Sequence, residues 1–242
     1  MQLSQFEFEE EIMDYSRIFK TVSPSIVNVV QLDDDNSFCS TASGVLIADG
    51  SKVLTCFHCV DPNFKNGILI DKSTNLVQLG DIVFADKDND VAILDLHTVV
   101  GAPSTIVSSS SMEIGNEIFT IGFPYSFKSE KTLTTGNIAA FENELIKIDT
   151  SVNNGNSGGP LFNINGEVIG IVNAKLGSLS KFLEDIEKAN PRAFMQISGI
   201  DPVKTIQQML REMKKNLNLG IGYAIPSDKL ANISSYIKSI IK

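Results

Sequence analysis

Two histidines, His58 and His97, are the side chains of this 242-residue sequence whose ordinary pKa lets them take a proton near neutral pH. One stretch, "NNGNSGGP" at 153–160, sets a serine hydroxyl, Ser157, among glycines that let the backbone bend sharply around it. A free serine hydroxyl is a weak nucleophile and needs a base to remove its proton. The base works best when a buried carboxylate holds its tautomer and stabilises its cation. His58 lies in "VLTCFHCV", just past a strand-like run, where a side chain can emerge at the rim of a barrel. His97 follows "VAILDL" with no comparable setting and reads as a surface residue. The carboxylate candidate is Asp90 in "DKDNDVAILDL", the last acid before a buried strand; Asp86 and Asp88 lie further from that run. Acyl transfer also needs backbone N–H groups aimed at the developing oxyanion. The loop Gly155-Asn156-Ser157 offers them, from Gly155 and Ser157, while Gly158 and Gly159 leave room to turn into "PLFNI". This is covalent chemistry that calls for no cofactor and no metal.

These residues need rigid elements to hold them. From Ser25 to about Phe123 the pattern is short and β-like, punctuated by turn signals such as Asp49-Gly50. A second β-rich series covers roughly 131–174, with Asn165-Gly166 as its clearest hairpin turn. Many short strands with few intervening helices favour antiparallel barrels over a parallel α/β sheet. Phe8, Ile12, Tyr15, Phe19 and Val22 recur at helical spacing, predicting an N-terminal helical segment over 1–22. Residues 178–189 and 203–216 read as helices within an insert, 175–219. A C-terminal helix, 228–241, follows with Ser227 as its cap. The expected division is a first barrel over 23–125 carrying His58 and Asp90, and a second over 126–242 carrying Ser157.

A net charge of −9 argues against nucleic acid or an anionic membrane as the main partner. The acidic first residues lack a secretory leader, and no apolar run nears the ~18–20 residues that span a bilayer. Three cysteines fit a reducing compartment, so a cytoplasmic location with free thiols is expected. Cys56 and Cys59 flank His58 as a C-x-x-C. One such pair, without a second pair or a βαβ context, is not read as a metal or redox site.

"ASGVLIADGSKVLTCFHCV", "DNDVAILDL", "IGNEIFTIGFP", "TLTTGNIAA", "NNGNSGGPLFNINGEVIGIV" and "GIGYAIPSDKL" occur in that order. Together they resemble the protease domain of the HtrA (Do-like) serine endopeptidases, within the chymotrypsin/trypsin-like class, over about 18–174 and 218–242. The resemblance implies two six-stranded antiparallel β-barrels, with His58, Asp90 and Ser157 meeting in the cleft between them. Protein or peptide substrates are implied, as is a homotrimer built through the N-terminal part. In trypsin-like enzymes an acid six residues before the nucleophile selects lysine or arginine. Here that position is Ser151, and Val172, Asn173 and Ala174 should line the adjoining wall, which favours a small or medium apolar residue before the cut.

The sequence also departs from that family. Asn154 stands where proline is usual, and the long insert replaces a short loop beside the substrate pocket. No PDZ domain follows the last helix, so its peptide-sensing role is not expected. A Cys39–Cys59 bridge would echo secreted trypsin-like enzymes, against the expectation of free thiols. The alternatives to a constitutive protease are a latent one switched on by a partner protein, with the insert as the switch, or a non-cleaving peptide-binding module.

Overall fold

Runs of Val, Ile, Leu and Phe a few residues long, broken by Gly, Asn and Asp, favour strands and tight turns. The computed structural model describes residues 14–174, 208, 209 and 220–242. Among them, six strands close the first barrel: β1 (Ile26–Leu32), β2 (Phe38–Ile47), β3 (Lys52–Thr55), β4 (Lys65–Asp71), β5 (Leu76–Asp86) and β6 (Val91–Asp95). The second is closed by β7 (Glu117–Gly122), β8 (Thr132–Glu142), β9 (Leu145–Ile148), β10 (Pro160–Asn163), β11 (Val168–Asn173) and β12 (Gly222–Pro226). All pairings are antiparallel. Both barrels repeat one neighbour order, β1-β2-β3-β6-β5-β4 and β7-β8-β9-β12-β11-β10. Closure leaves neither sheet an open edge.

The division expected at residue 125 needs correction. β7 pairs with β8 and β10, so the crossover between barrels lies within 96–116. The reason is strand pairing: Phe119 of β7 lies opposite Phe162 of β10, and the two rings stack with centroids 4.8 Å apart. Both predicted glycine turns form with positive φ, at Gly50 (+92°) and Gly166 (+77°). Each lies in a four-residue connection rather than a two-residue one.

The ends of the chain cross over. Helix α1 (Tyr15–Val22) is capped by Asp14, whose side chain accepts from the N–H groups of Ser16 and Arg17. It precedes the first barrel yet packs on the second, with Tyr15 edge-on to Phe119 at 5.7 Å. The predicted C-terminal helix is two short ones, α2 (Ser227–Ile233) and α3 (Ser235–Ile240). Ser234 takes an extended conformation between them and caps α3 through its side chain. Ser227 is not a cap; it opens α2 and donates its hydroxyl to the Val107 carbonyl. Ile233 and Tyr236 then border a groove with Lys52, Val83, Phe84 and Ile93 of the first barrel. Helix α1 thus lies against the barrel that follows the first, while the α2–α3 junction faces the first barrel across that groove. The start of the N-terminal segment before residue 14 lies outside the described residues. So do the two insert helices, apart from Gln208 and Met209.

Candidate active site

His58 belongs to a single 3₁₀ turn, Phe57–Cys59, that ends β3. The turn is closed by Cys59 N–H to Cys56 O and Val60 N–H to Phe57 O, each at 3.1 Å. Asp90 ends the β5–β6 turn with φ +57°, a left-handed conformation that aspartate tolerates better than most side chains. Asp86 supports that turn instead, accepting from the Asn89 N–H at 2.9 Å and its side-chain amide at 2.8 Å. The two candidates meet. His58 Nδ1 lies 2.7 Å from Asp90 Oδ2, and the His58 backbone N–H donates to Asp90 Oδ1 at 2.9 Å. Asn173, at the end of β11, donates its side-chain amide to Asp90 Oδ2 at 2.7 Å. With both oxygens engaged the carboxylate has one orientation. Burial alone would lower the His58 pKa, but hydrogen bonds with Asp90 and Cys59 outweigh it and bring it to about 9.

Ser157 sits in the loop between β9 and β10. Gly155 has φ +98°, and a Cβ there would lie 2.2 Å from the Phe123 carbonyl oxygen. Gly158 has φ +80°, and a Cβ there would meet Thr55 Oγ1 at 2.1 Å. Both positions are closed to any side chain. The Asn156 N–H donates to Asn153 O at 3.0 Å, so of the three candidate oxyanion residues Asn156 has already committed its amide. The Gly155 and Ser157 amides donate to no acceptor among the described residues. Asn156 Oδ1 is buried and without a partner among them.

Ser43, in the middle of β2, was not singled out by any sequence motif. Its N–H donates to Ser157 O at 2.9 Å and its hydroxyl to Gly155 O at 2.7 Å, while the hydroxyl accepts from Phe123 N–H at 2.9 Å. Thr55 Oγ1 donates to the Ser43 carbonyl at 2.8 Å. A fully buried serine of the first barrel thus fixes the shape of the loop carried by the second. Nothing local marks it, because its partners are more than 100 residues away in the chain, apart from Phe123 and Thr55.

The proposed pocket wall needs correction at two positions. The Val172 side chain is fully buried in the core of the second barrel, and its carbonyl accepts from Gly158 N–H at 2.8 Å and the Cys56 thiol at 3.3 Å. Asn173 is buried and serves Asp90 rather than a pocket. Ser151 is exposed, and Ala174 donates its N–H to Ser157 Oγ at 3.2 Å. Among the described residues no hydrogen bond joins Ser157 Oγ to His58. Cys39, Cys56 and Cys59 are free thiols, Cys39 exposed and the other two buried, so the Cys39–Cys59 bridge is not formed. The Cys56 and Cys59 sulfurs and a His58 ring nitrogen lie within 4.8 Å of one another.

Two antiparallel barrels of equal strand order, with a histidine–aspartate pair from one beside a glycine-cradled serine of the other, define the two-barrel class of serine hydrolases. Comparison with known proteins agrees: residues 42–171 match the trypsin-like peptidase domain, and the chain belongs to that family. It is 32% identical over 140 residues to a probable periplasmic serine endoprotease DegP-like of Halomonas elongata, covering 54% of this chain and 29% of that protein. It is 28% identical over 209 residues to protease Do-like 5, chloroplastic, of Arabidopsis thaliana, covering 70% and 64%. It is 24% identical over 267 residues to the serine protease Do-like HtrA of Lactococcus lactis, covering 93% and 57%. The chain thus spans between 29% and 64% of the length of these relatives. Two of those names place the relative in a periplasm or a chloroplast, which lends no support to a cytoplasmic location. No helix among the described residues is long and apolar enough to cross a membrane.

Proposed function

We propose that the protein is a serine endopeptidase acting on protein or peptide substrates through His58, Asp90 and Ser157. Asp90 holds His58 with its free nitrogen toward the cleft, and His58 removes the Ser157 proton as Oγ attacks the scissile carbonyl. The Gly155 and Ser157 amides, which donate to no acceptor among the described residues, stabilise the oxyanion. His58 then gives its proton to the leaving amine and activates water to hydrolyse the acyl-enzyme. The observation that carries this reading is a pair of neighbours. Asn173 bonds the Asp90 carboxylate and Ala174, the next residue, bonds the Ser157 hydroxyl, so the acid and the nucleophile from separate barrels share one strand end. With serine at 151, a small or medium apolar residue before the cut is expected; a cleavage profile dominated by lysine or arginine would refute that preference. The free thiols of Cys39, Cys56 and Cys59 favour a reducing compartment such as the cytoplasm.

The test is reaction with a fluorophosphonate probe, read by intact mass, on wild type and Ser157→Ala without any partner. Labelling of wild type alone supports the reading. One observation favours the latent form: Ser157 Oγ accepts from Ala174 N–H, and its bond to His58 is not made. Apo sites often tighten only with substrate bound. A folded wild type that labels only after a partner or substrate is added makes the protease latent, and one that never labels leaves a peptide-binding module.

A further inference from the structure

We propose that Cys56, His58 and Cys59 form a thiolate–imidazole site for a divalent cation of the zinc class, whose occupation takes His58 out of catalysis. The proposal rests on the reading of His58 as the general base. Three donors come from four consecutive residues, and the 3₁₀ turn closed by Cys59 N–H to Cys56 O brings them together. Their ligand atoms lie within 4.8 Å of one another. Zinc–sulfur and zinc–nitrogen bonds of about 2.3 and 2.0 Å put tetrahedral ligands about 3.5–3.8 Å apart, so movements of about an ångström complete the set. Two cysteines and one histidine, with a fourth position open to water, is a known zinc donor set. Soft sulfur and imidazole disfavour magnesium and calcium.

What the thiols would surrender is small. Cys56 donates to the Val172 carbonyl at 3.3 Å and Cys59 to the Ser157 carbonyl at 3.6 Å, both bonds from weak sulfur donors. Binding releases the two thiol protons, and the two thiolates cancel the charge of the ion, as a buried site requires. Catalysis stops whichever ring nitrogen binds. Coordination through Nε2 consumes the lone pair that would accept the serine proton. Coordination through Nδ1 breaks the 2.7 Å contact with Asp90. The turn that presents the base is thus also a place to remove it, reversibly.

The experiment has two arms, both in a Cys39→Ser background with a non-thiol phosphine reductant. In the first, Ser157→Ala is titrated with Co²⁺. A near-ultraviolet thiolate-to-cobalt charge-transfer band saturating at one equivalent is expected, with affinity falling about 10- to 100-fold or more in Cys56→Ala and Cys59→Ala. Should alanine at either position prevent folding, judged by circular dichroism, serine keeps the volume without the soft donor. In the second arm, fluorophosphonate labelling of the Ser157 enzyme is followed with chelator and with one equivalent of Zn²⁺. Zinc should stop labelling, chelator should restore it, and the cysteine variants should respond far less relative to their own chelated rates. Absence of the cobalt band in folded protein that labels normally in chelator overturns the metal site and leaves the protease reading standing. A band without zinc inhibition overturns the regulatory half. Failure to label in chelator even with a protein substrate added sinks the protease reading and with it the regulatory half, and the cobalt band still decides the site.

Discussion

The first barrel carries two histidine–aspartate pairs whose lengths are nearly equal. His58 Nδ1 lies 2.7 Å from Asp90, and His97 Nε2 lies 2.8 Å from Asp81. Their surroundings differ. The His97 and Asp81 side chains are 61% and 79% exposed, against 15% and 21% for His58 and Asp90. Water and salt screen the first pair, so it contributes little to anything. The second is enclosed by the opposite barrel, and Asp90 also holds the His58 backbone N–H and the Asn173 amide. Those extra contacts fix which way the ring faces. Contact distance does not separate the pairs; burial and the second barrel do.

The most direct way to break this comparison is to neutralise each acid in turn. Asp90→Asn should lower kcat by about 10⁴-fold, because the amide favours the wrong imidazole tautomer. Asp81→Asn should leave kcat within experimental error. A mild loss at Asp90 beside a severe one at Asp86 or Asp88 would mean that the wrong carboxylate had been chosen. Asp86 is already committed to Asn89, which makes that outcome unexpected.

The contrast also marks what could be read from the chain. Glycines, an Asn-Gly turn, short apolar runs and the acid before "VAILDL" are local signals, and they pointed to antiparallel barrels and to His58, Asp90 and Ser157 as candidates. That there are two six-stranded barrels followed from the resemblance to the HtrA proteases. Ser43 and the true task of Asn173 could not be read that way. Ser43 looks like any small residue in a buried strand, and its importance arises when Gly155 and Ser157 arrive from 112 and 114 positions downstream (155 − 43 and 157 − 43). The trypsin-like resemblance puts Asn173 in the wall of the substrate pocket, whereas its amide bonds Asp90. Which way its amide turns depends on where the other barrel puts Asp90. The barrel boundary failed for a similar reason: β7 follows the first six strands without a composition change, and its partner β10 comes about 40 residues later.

Asn173→Ala sharpens the comparison by giving the half-buried Asp90 one partner fewer. A hydrogen bond to a charged group is worth about 1.5–3 kcal/mol. If that bond orients Asp90 during catalysis, kcat should fall about 10- to 100-fold with KM little changed. A thermal midpoint that drops while kcat per folded molecule holds would show a purely structural role.

A smaller change separates the two histidines by pH. In the proposed mechanism His58 must be neutral, so kcat/KM should be low when the ring is protonated and rise with pH through its pKa. Asp90 and Cys59 favour the charged ring and raise that pKa to about 9 against the opposing effect of burial. The rise should therefore come on the alkaline side of the ordinary histidine value of about 6.5. Cys59→Ala removes one of the two raising partners and should move the midpoint to lower pH, measured with chelator present. An unmoved midpoint would show that the thiol does not bear on the ring.

The smallest effect belongs to His97. It sits at φ +59° on the surface, with its ring between Asp81 and Asp95, and its ring touches no residue of the cleft among those described. His97→Asn keeps a side chain suited to that left-handed backbone while removing the imidazole. Surface changes of this kind usually alter stability by no more than about 0.5 kcal/mol. Activity, its pH profile and the thermal midpoint should all match wild type. A shifted pH midpoint in this variant would couple the exposed pair to the cleft, and burial could then no longer explain why only one of the two pairs is chemically equipped.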